Sequence, residues 1–330
     1  MFFDNSEILP KIFQNLEGLL SSSGRIALAV SGGVDSLFLA VVVYRYYLER
    51  GWNMQNLHCI VVDHNLRENS ASDAIFARKI LRKIGYDNVE ITKWKHGEIL
   101  TAVEESARNA RYDIISEFCL KNAINTVLLG HHLDDQIETF FLNLFRGSGT
   151  IGLGGMKILN VKNNISFIRP LLSIRKGEII TFMQENNISW VEDETNQDDK
   201  FARNKIRNIL QLVGIDDTSA RRILGAIFAI QDANDVIRSY VEGYVQYAEN
   251  FAEISTKDAQ KITKCEMVAI FDAIYQKFQT PKPRYEQIEN VISLIKSIKL
   301  DGGVKFMRKI YLAEVEIIVT TEKIRFQQAI

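Results

Sequence analysis

Apolar residues in the first half of the chain fall into two alternating kinds of run. Short runs with little periodicity, at Arg25–Val30, Leu57–Asp63, Val89–Trp94 and Thr126–Gly130, predict strands buried on both faces. Between them, Asp35–Arg50, Ser70–Ile84 and Thr101–Lys121 space their apolar positions as a helix does. Two of these helices open on a capping-box pattern, Ser70 with Asp73 and Thr101 with Glu104. The alternation predicts an α/β class: a doubly wound, mostly parallel sheet with helices on both faces. Ligands in such sheets bind beyond the carboxyl ends of the strands. The stretches Ser31–Ser36, Asp63–His64 and Gly130–His132 all fall at such ends and are expected to meet.

Further on, Ile165–Leu172 predicts another strand closed by Pro170, followed by a helix at Arg175–Asn186. The segment Glu192–Asn208 begins acidic, ends basic and lacks an apolar period at first, so it predicts a loop entering a helix. Helical spacing then dominates from Ser219 to Leu300, most clearly through Phe251, and Val304–Thr320 predicts a hairpin or small sheet. Two domains follow: a catalytic one over 1–213, and a smaller, mainly helical one over 214–330 with a C-terminal β element.

Composition changes this picture little. The 330 residues are 46% hydrophobic and 25% charged, with net charge −1, which excludes a surface basic throughout. Any nucleic-acid contact must come from a local patch. Cys59, Cys119 and Cys265 are widely separated and form no CxxC pair, which argues against zinc or an iron–sulfur cluster and for a reducing, cytoplasmic setting. Leu37–Leu48 is interrupted by Arg45 and is too short to span a bilayer, so no membrane partner is expected. Asp4 and Glu7 stand where a secretory signal would be basic.

The run SGGVDS, Ser31–Ser36, sits between a predicted strand and a predicted helix. Backbone N–H groups at such a turn converge on one point, and the helix dipole adds positive potential for an anion. Gly32 and Gly33 allow close approach and positive φ, Ser31 and Ser36 offer hydroxyls, and Val34 adds a backbone amide. There is no Gly-Lys dipeptide, so this is not a Walker A loop. Asp35 would repel phosphate unless a divalent ion lies between, which implies Mg²⁺ bridging Asp35 and a pyrophosphate. GSGTIG at Gly147–Gly152 matches GxGxxG but follows a helical segment, so it predicts a mobile loop past a helix C-terminus. In Gly130–Gly149, helical spacing lets Asp135 and Glu138 share a face just after His131 and His132.

SGGVDS in this setting resembles the PP-loop of the ATP pyrophosphatase superfamily, whose members cleave ATP between the α- and β-phosphates. VDHNLRENSASDA, ARNARY, GHHLDDQIETFFLNLFRGSGTIGLGGM, RPLLSIRKGEI and EDETNQDDKFARNKIRN together resemble, within that superfamily, the tRNA(Ile)-lysidine synthetases. The resemblance is dense over Arg25–Leu210 and thin beyond. It implies that ATP adenylates the wobble cytidine of an isoleucine tRNA with a CAU anticodon, and that free lysine then displaces AMP. On that basis Asp135 and Glu138 are expected to bind lysine and take its proton. Arg111 and His131 are expected to stabilise the α-phosphate, with Arg203 a further candidate for the ATP or adenylate. Lys200, Arg203, Lys205 and Arg207 are expected to meet tRNA. The alternatives are a thiolating PP-loop tRNA modifier and a non-catalytic ATP-binding module. Oligomeric state is left open between monomer and homodimer.

Overall fold

The computed structural model describes residues 8–63, 69–94, 103–162, 164–192, 202–299 and 307–329, without the side chains of 103–109 and 202. In chain order these form α1 (Ile8–Leu16), β1 (Ile26–Val30), α2 (Val34–Glu49), β2 (Leu57–Asp63), α3 (Ser70–Ile84), β3 (Asn88–Lys93), α4 (Val103–Lys121) and β4 (Thr126–Leu128). There follow α5 (Leu133–Phe145), α6 (Thr150–Leu153), β5 (Leu159–Lys162), β6 (Ile165–Ile168), α7 (Lys176–Glu185), α8 (Ala202–Val213) and α9 (Asp217–Val241). The remainder comprises β7 (Gln246–Tyr247), β8 (Phe251–Ser255), α10 (Thr256–Lys261), α11 (Lys264–Phe278), α12 (Tyr285–Ser297), β9 (Met307–Leu312), β10 (Val315–Thr320) and β11 (Lys323–Gln328).

The chain divides into two compact units, Met1–Thr139 with Met156–Leu224, and Phe140–Gly155 with Gly225–Ile330. The sequence suggested one division, at 213/214. The crossings at 139/140 and 224/225 instead fall inside α5 and α9, where helical spacing runs on unbroken and marks no boundary.

The first unit carries a six-stranded sheet in the order β3-β2-β1-β4-β6-β5. All neighbours run parallel except β5, which pairs antiparallel with β6. Successive strand residues alternate between two cores: Leu28, Cys59 and Val61 join one, Ala27 and Ile60 the other. The first core holds α2, which is apolar almost all round and buried accordingly. Phe38 packs edge-on against Phe182 of α7 and Tyr46 against Phe13 of α1, and the Tyr86 hydroxyl donates to the Ala40 carbonyl at 2.8 Å. The second core gathers Ile115, Phe118 and Cys119 of α4 over Val127 and Phe167. Chain order reverses at β1, which lies between β2 and β4; the crevice for a ligand therefore opens between the C-terminal ends of β1 and β4.

Several local expectations are corrected. Asn69, not Ser70, is the N-cap of α3, and no side-chain cap bond forms there. The Thr101–Glu104 cap lies outside the described residues. The strand predicted at Ile165–Leu172 ends at Ile168, ahead of Pro170. In the second unit, helical spacing suggested one helix through Phe251, but α9 stops at Val241 and β7 and β8 follow. Gly243 weakens the helix there, and β8 buries alternate residues, Ala252 and Ile254, in a five-stranded antiparallel sheet ordered β7-β8-β11-β10-β9. That sheet shares a core with α11 and α12 through Phe271, Tyr275, Ile292, Ile317 and Phe326. The C-terminal region is therefore mainly helical, as expected, with a sheet of five strands rather than a single hairpin.

Candidate active site

The loop from β1 into α2 is held by its own serines. The buried Ser36 hydroxyl donates to the Gly33 carbonyl at 2.9 Å and accepts from the Ser31 N–H at 3.2 Å. Ser36 thus fixes the turn, and the hydroxyl of the exposed Ser31 joins it, accepting from the Gly33 N–H at 3.4 Å and lying 3.3 Å from the Ser36 hydroxyl. Gly32 has φ +89, and an added Cβ would press on Ala77 at 3.3 Å. Gly33 was expected to share that conformation but has φ −72 as the helix N-cap, and a Cβ there would meet only the Ser31 hydroxyl, at 3.6 Å. Leu37 N–H makes the first helical bond, to Gly33, so the amides of Val34, Asp35 and Ser36 head the helix ahead of it. The buried side chain of Val34 anchors this turn in the core.

The β4–α5 turn lies directly against this loop. A Cβ on Gly130 would sit 3.0–3.1 Å from the backbone of Asp35 and Ser36. Two residues later, His132 and Asp135 cap α5 reciprocally. The His132 N–H donates to Asp135 Oδ2 at 3.1 Å, and the Asp135 N–H donates to His132 Nδ1 at 3.4 Å. Nδ1 therefore acts as an acceptor, and Nε2 of the buried ring lies 3.6 Å from Asp35 Oδ1 and 3.5 Å from Asp135 Oδ2. Asp134 takes another direction, accepting from the Lys176 backbone N–H at 2.7 Å and from Arg175 Nε at 3.1 Å. That pins the start of α7 over the loop, where Lys176 Nζ donates to both oxygens of Asp35 at 2.6 Å.

Glu138 lies one helical turn beyond Asp134 and is buried. Arg207 Nε donates to Glu138 Oε1 at 2.8 Å, and Arg203 Nε donates to Oε2 at 3.1 Å. Arg203 also reaches within 3.8 Å of Asp135. The basic cluster expected to face phosphate as a group is therefore divided. Arg203 and Arg207 turn to Glu138, Lys205 is exposed, and Lys200 lies outside the described residues.

These elements enclose a cavity of about 170 Å³, lined among others by Ser31, Asp35, Ser36, Arg111, His131 and Asp135. Burial pushes the His131 imidazole down to about 3, with Arg169, Arg203 and Arg111 adding to the effect and Asp135 opposing it. His131 is neutral at physiological pH, and its buried Nδ1 meets no hydrogen-bond partner among the described residues. Arg111 is the permanent cation of the cavity wall. Burial raises the Asp135 carboxyl, but His132, Arg203 and the His132 N–H bond together outweigh it and hold the group below the usual carboxylate range. Asp135 is thus an anion looking into the cavity.

Four members of this cluster were not singled out from sequence: Lys176, Arg175, Asp134 in its role at α7, and the buried Arg169. Arg169 donates to the Lys157 carbonyl at 3.0 Å. A signal existed for two of them. Consecutive cations at a helix start oppose the helix dipole, so Arg175 and Lys176 need an anion elsewhere.

The donors present suit a triphosphate nucleotide. A glycine turn, the head of a long buried helix and Arg111 converge on a space that a single Cβ at Gly130 would disturb. One carboxylate, Asp35, suits a Mg²⁺ ion that takes its remaining ligands from phosphate and water. Among the described residues no group of three or more His, Cys, Asp or Glu is placed to hold a resident metal.

The sequence profile of the PP-loop domain matches residues 5–213. The tRNA(Ile)-lysidine synthase of Orientia tsutsugamushi (strain Boryong) is 32% identical over 241 residues, 70% of this chain and 53% of that protein. That of Rickettsia akari (strain Hartford) is 38% identical over 205 residues, 61% of this chain and 46% of that protein. That of Wolbachia pipientis wMel is 29% identical over 305 residues, 87% of this chain and 68% of that protein. The chain thus spans about half the length of the first two of these relatives. Among solved structures, the U34-tRNA thiolase NcsA of Methanococcus maripaludis, with its [4Fe-4S] cluster, superposes with TM-score 0.58 at 19% identity. It covers 68% of this chain and 78% of that one, a likeness of fold.

Proposed function

The chain belongs to the PP-loop family, and on that premise we propose that it ligates free lysine to C2 of the wobble cytidine of the CAU-anticodon isoleucine tRNA, converting ATP to AMP and pyrophosphate. One observation carries the proposal: an ionised Asp135, with Glu138 behind it, stands beside a loop built for a polyanion. Carboxylates there oppose ATP binding unless a cation joins them, and lysine brings an ammonium. The curated relatives named as lysidine synthases agree with this choice of substrates.

In the proposed sequence, the cytidine O2 attacks the α-phosphorus, and the bond from that phosphorus to the pyrophosphate breaks. The loop amides hold the pyrophosphate and Arg111 offsets charge gathering on the α-phosphate. His131, being neutral, contributes only a hydrogen bond. Asp35 would hold a Mg²⁺ ion supplied with ATP, which would offset the charge of the pyrophosphate. Lysine's amine then attacks C2, the C2–O bond breaks and AMP leaves. Asp135 holds the ammonium, and its proton passes to the Asp135–Glu138 pair. Lys205, with Lys200, is proposed to meet tRNA phosphate, and Arg203 stands close enough to Asp135 to pair with an anionic substrate group. The cytoplasm, where tRNA, ATP and lysine coexist, is the proposed compartment. Among the described residues no helix is long and apolar enough to cross a membrane.

A thiolating role finds no support in the cysteines. Cys59 and Cys119 are buried in the two cores, where desolvation pushes the Cys59 thiol well up and that of Cys119 to about 11. Neither lines the cavity. A sensor role predicts ATP binding without pyrophosphate release when tRNA and lysine are present. Asp135→Ala and Glu138→Ala are expected to abolish transfer of labelled lysine to tRNA; wild-type turnover in either would refute the assignment.

A further inference from the structure

Lys176 is the first residue of α7, and its backbone N–H is fixed by Asp134 at 2.7 Å. Its main chain is therefore tethered to the start of α5, whereas its four-carbon stem can reorient the ammonium. The Nζ atom donates at 2.6 Å to both oxygens of Asp35. It occupies the face of the carboxylate that a divalent cation would need. Neither group is deeply buried, with side-chain exposures of 35% for Lys176 and 28% for Asp35, so the pair can exchange partners with an arriving ligand. A lysine at a helix start gains nothing from the helix dipole. Its position is explained by the anions beside it.

Mg²⁺ and the ammonium cannot both hold Asp35 in this geometry. When a metal-bearing polyphosphate enters the cavity, the ion is the stronger ligand for the carboxylate, and the displaced ammonium lies within reach of the same phosphates. We propose that Lys176 is a pyrophosphate-binding residue kept in place on Asp35, exchanging that carboxylate for a β- or γ-phosphate oxygen when Mg²⁺ arrives. The exchange keeps the loop charge-balanced in both states. In the free protein Asp35 is neutralised by lysine; in the complex it is neutralised by Mg²⁺, and the lysine joins the loop amides on the pyrophosphate. Asp134 and Arg175 are positioning residues for this exchange, because they fix where the lysine stem begins. The proposal rests on the ATP-using site described above.

The whole chain can be titrated calorimetrically with AMP and with the non-hydrolysable analogue AMP-CPP over a series of MgCl₂ concentrations. AMP lacks the pyrophosphate, so Lys176→Met should leave its affinity unchanged while weakening AMP-CPP by about 10- to 100-fold, the worth of one charge-assisted hydrogen bond. The same variant should reach half-maximal AMP-CPP binding at lower Mg²⁺, because the competitor for Asp35 is gone. Lys176→Arg should recover most of the analogue affinity. Equal losses for AMP and AMP-CPP, no loss for either, or an unchanged Mg²⁺ requirement would each overturn the proposal. The double variant Asp35→Asn with Lys176→Met removes both charges and keeps the AMP against AMP-CPP comparison available if the single variant folds poorly. Failure of the wild-type chain to bind either nucleotide would contradict the ATP-using site itself and is separable from a failure of Lys176 alone.

Discussion

At the scale of single residues, two charge states decide what the cavity can do. His131 is kept neutral by burial, its folded value lying near 3 against 6.5 for an ordinary histidine. The unfolded chain therefore takes up a proton between about pH 6.5 and 3 that the folded chain refuses, and stability falls as pH drops through this window. His131→Gln should flatten urea-derived stability between pH 6.5 and 5 relative to wild type. His58, also lowered by burial, contributes to both proteins and cancels. An NMR titration showing His131 protonated at pH 6 would contradict this account. Glu138 poses the opposite case, a buried carboxylate stabilised by two arginines. Arg207→Ala should destabilise the fold by about 1–3 kcal/mol in urea melts, with Glu138→Gln in the same chain recovering part of the loss. Sequence spacing showed that Asp135 and Glu138 share a helix face. It could not show the Glu138–Arg207 bond, whose partners are 69 residues apart and brought together only by the fold.

At the scale of elements, the site depends on two turns pressed together, after β1 and after β4. Gly130→Ala tests that contact, because its Cβ would lie 3.0–3.1 Å from backbone that has no flexible side chain to yield. The variant should still fold, through its unaltered cores, but bind AMP-CPP at least about tenfold more weakly, a shift of about 1.4 kcal/mol. Unchanged affinity would mean the two turns do not jointly shape the nucleotide site. The buried strands and amphipathic helices of the first unit were legible: β2 and α3 match their predicted bounds, and α2, β3 and α7 lie within a residue or so. Their periodicity is the direct imprint of burial. The four exposed residues of β5 carry no such imprint, and it was not anticipated. The β7–β8 segment was hidden because helical apolar spacing runs on past the end of α9 at Val241, through Gly243, to Phe251.

At the scale of the whole molecule, the residues lining the candidate site all belong to the first unit, and the second has its own core of helices and antiparallel sheet. With a modest net charge, the proposed tRNA contact would rest on few side chains. With Arg203 and Arg207 turned to Glu138, Lys205→Ala should weaken tRNA binding and reduce the slope of log K against log salt by about one unit. A slope identical to wild type would remove Lys205 from the tRNA contact. The sequence revealed the phosphate loop and its acids because that chemistry is local. Of the surrounding cations, Arg111 and Arg203 were expected from the family resemblance, whereas Lys176 and Arg169 come from distant segments and needed the folded chain to be seen. The central claim is that ATP cleavage here serves to join lysine to a cytidine. It is tested most directly by mass spectrometry of the wobble nucleoside after incubating the CAU-anticodon isoleucine tRNA with the protein, ATP, Mg²⁺ and lysine. The account predicts a cytidine heavier by one lysine less one water, dependent on ATP and lost in Asp135→Ala. An unmodified cytidine, or one that gains sulfur when a sulfur donor replaces lysine, would contradict it.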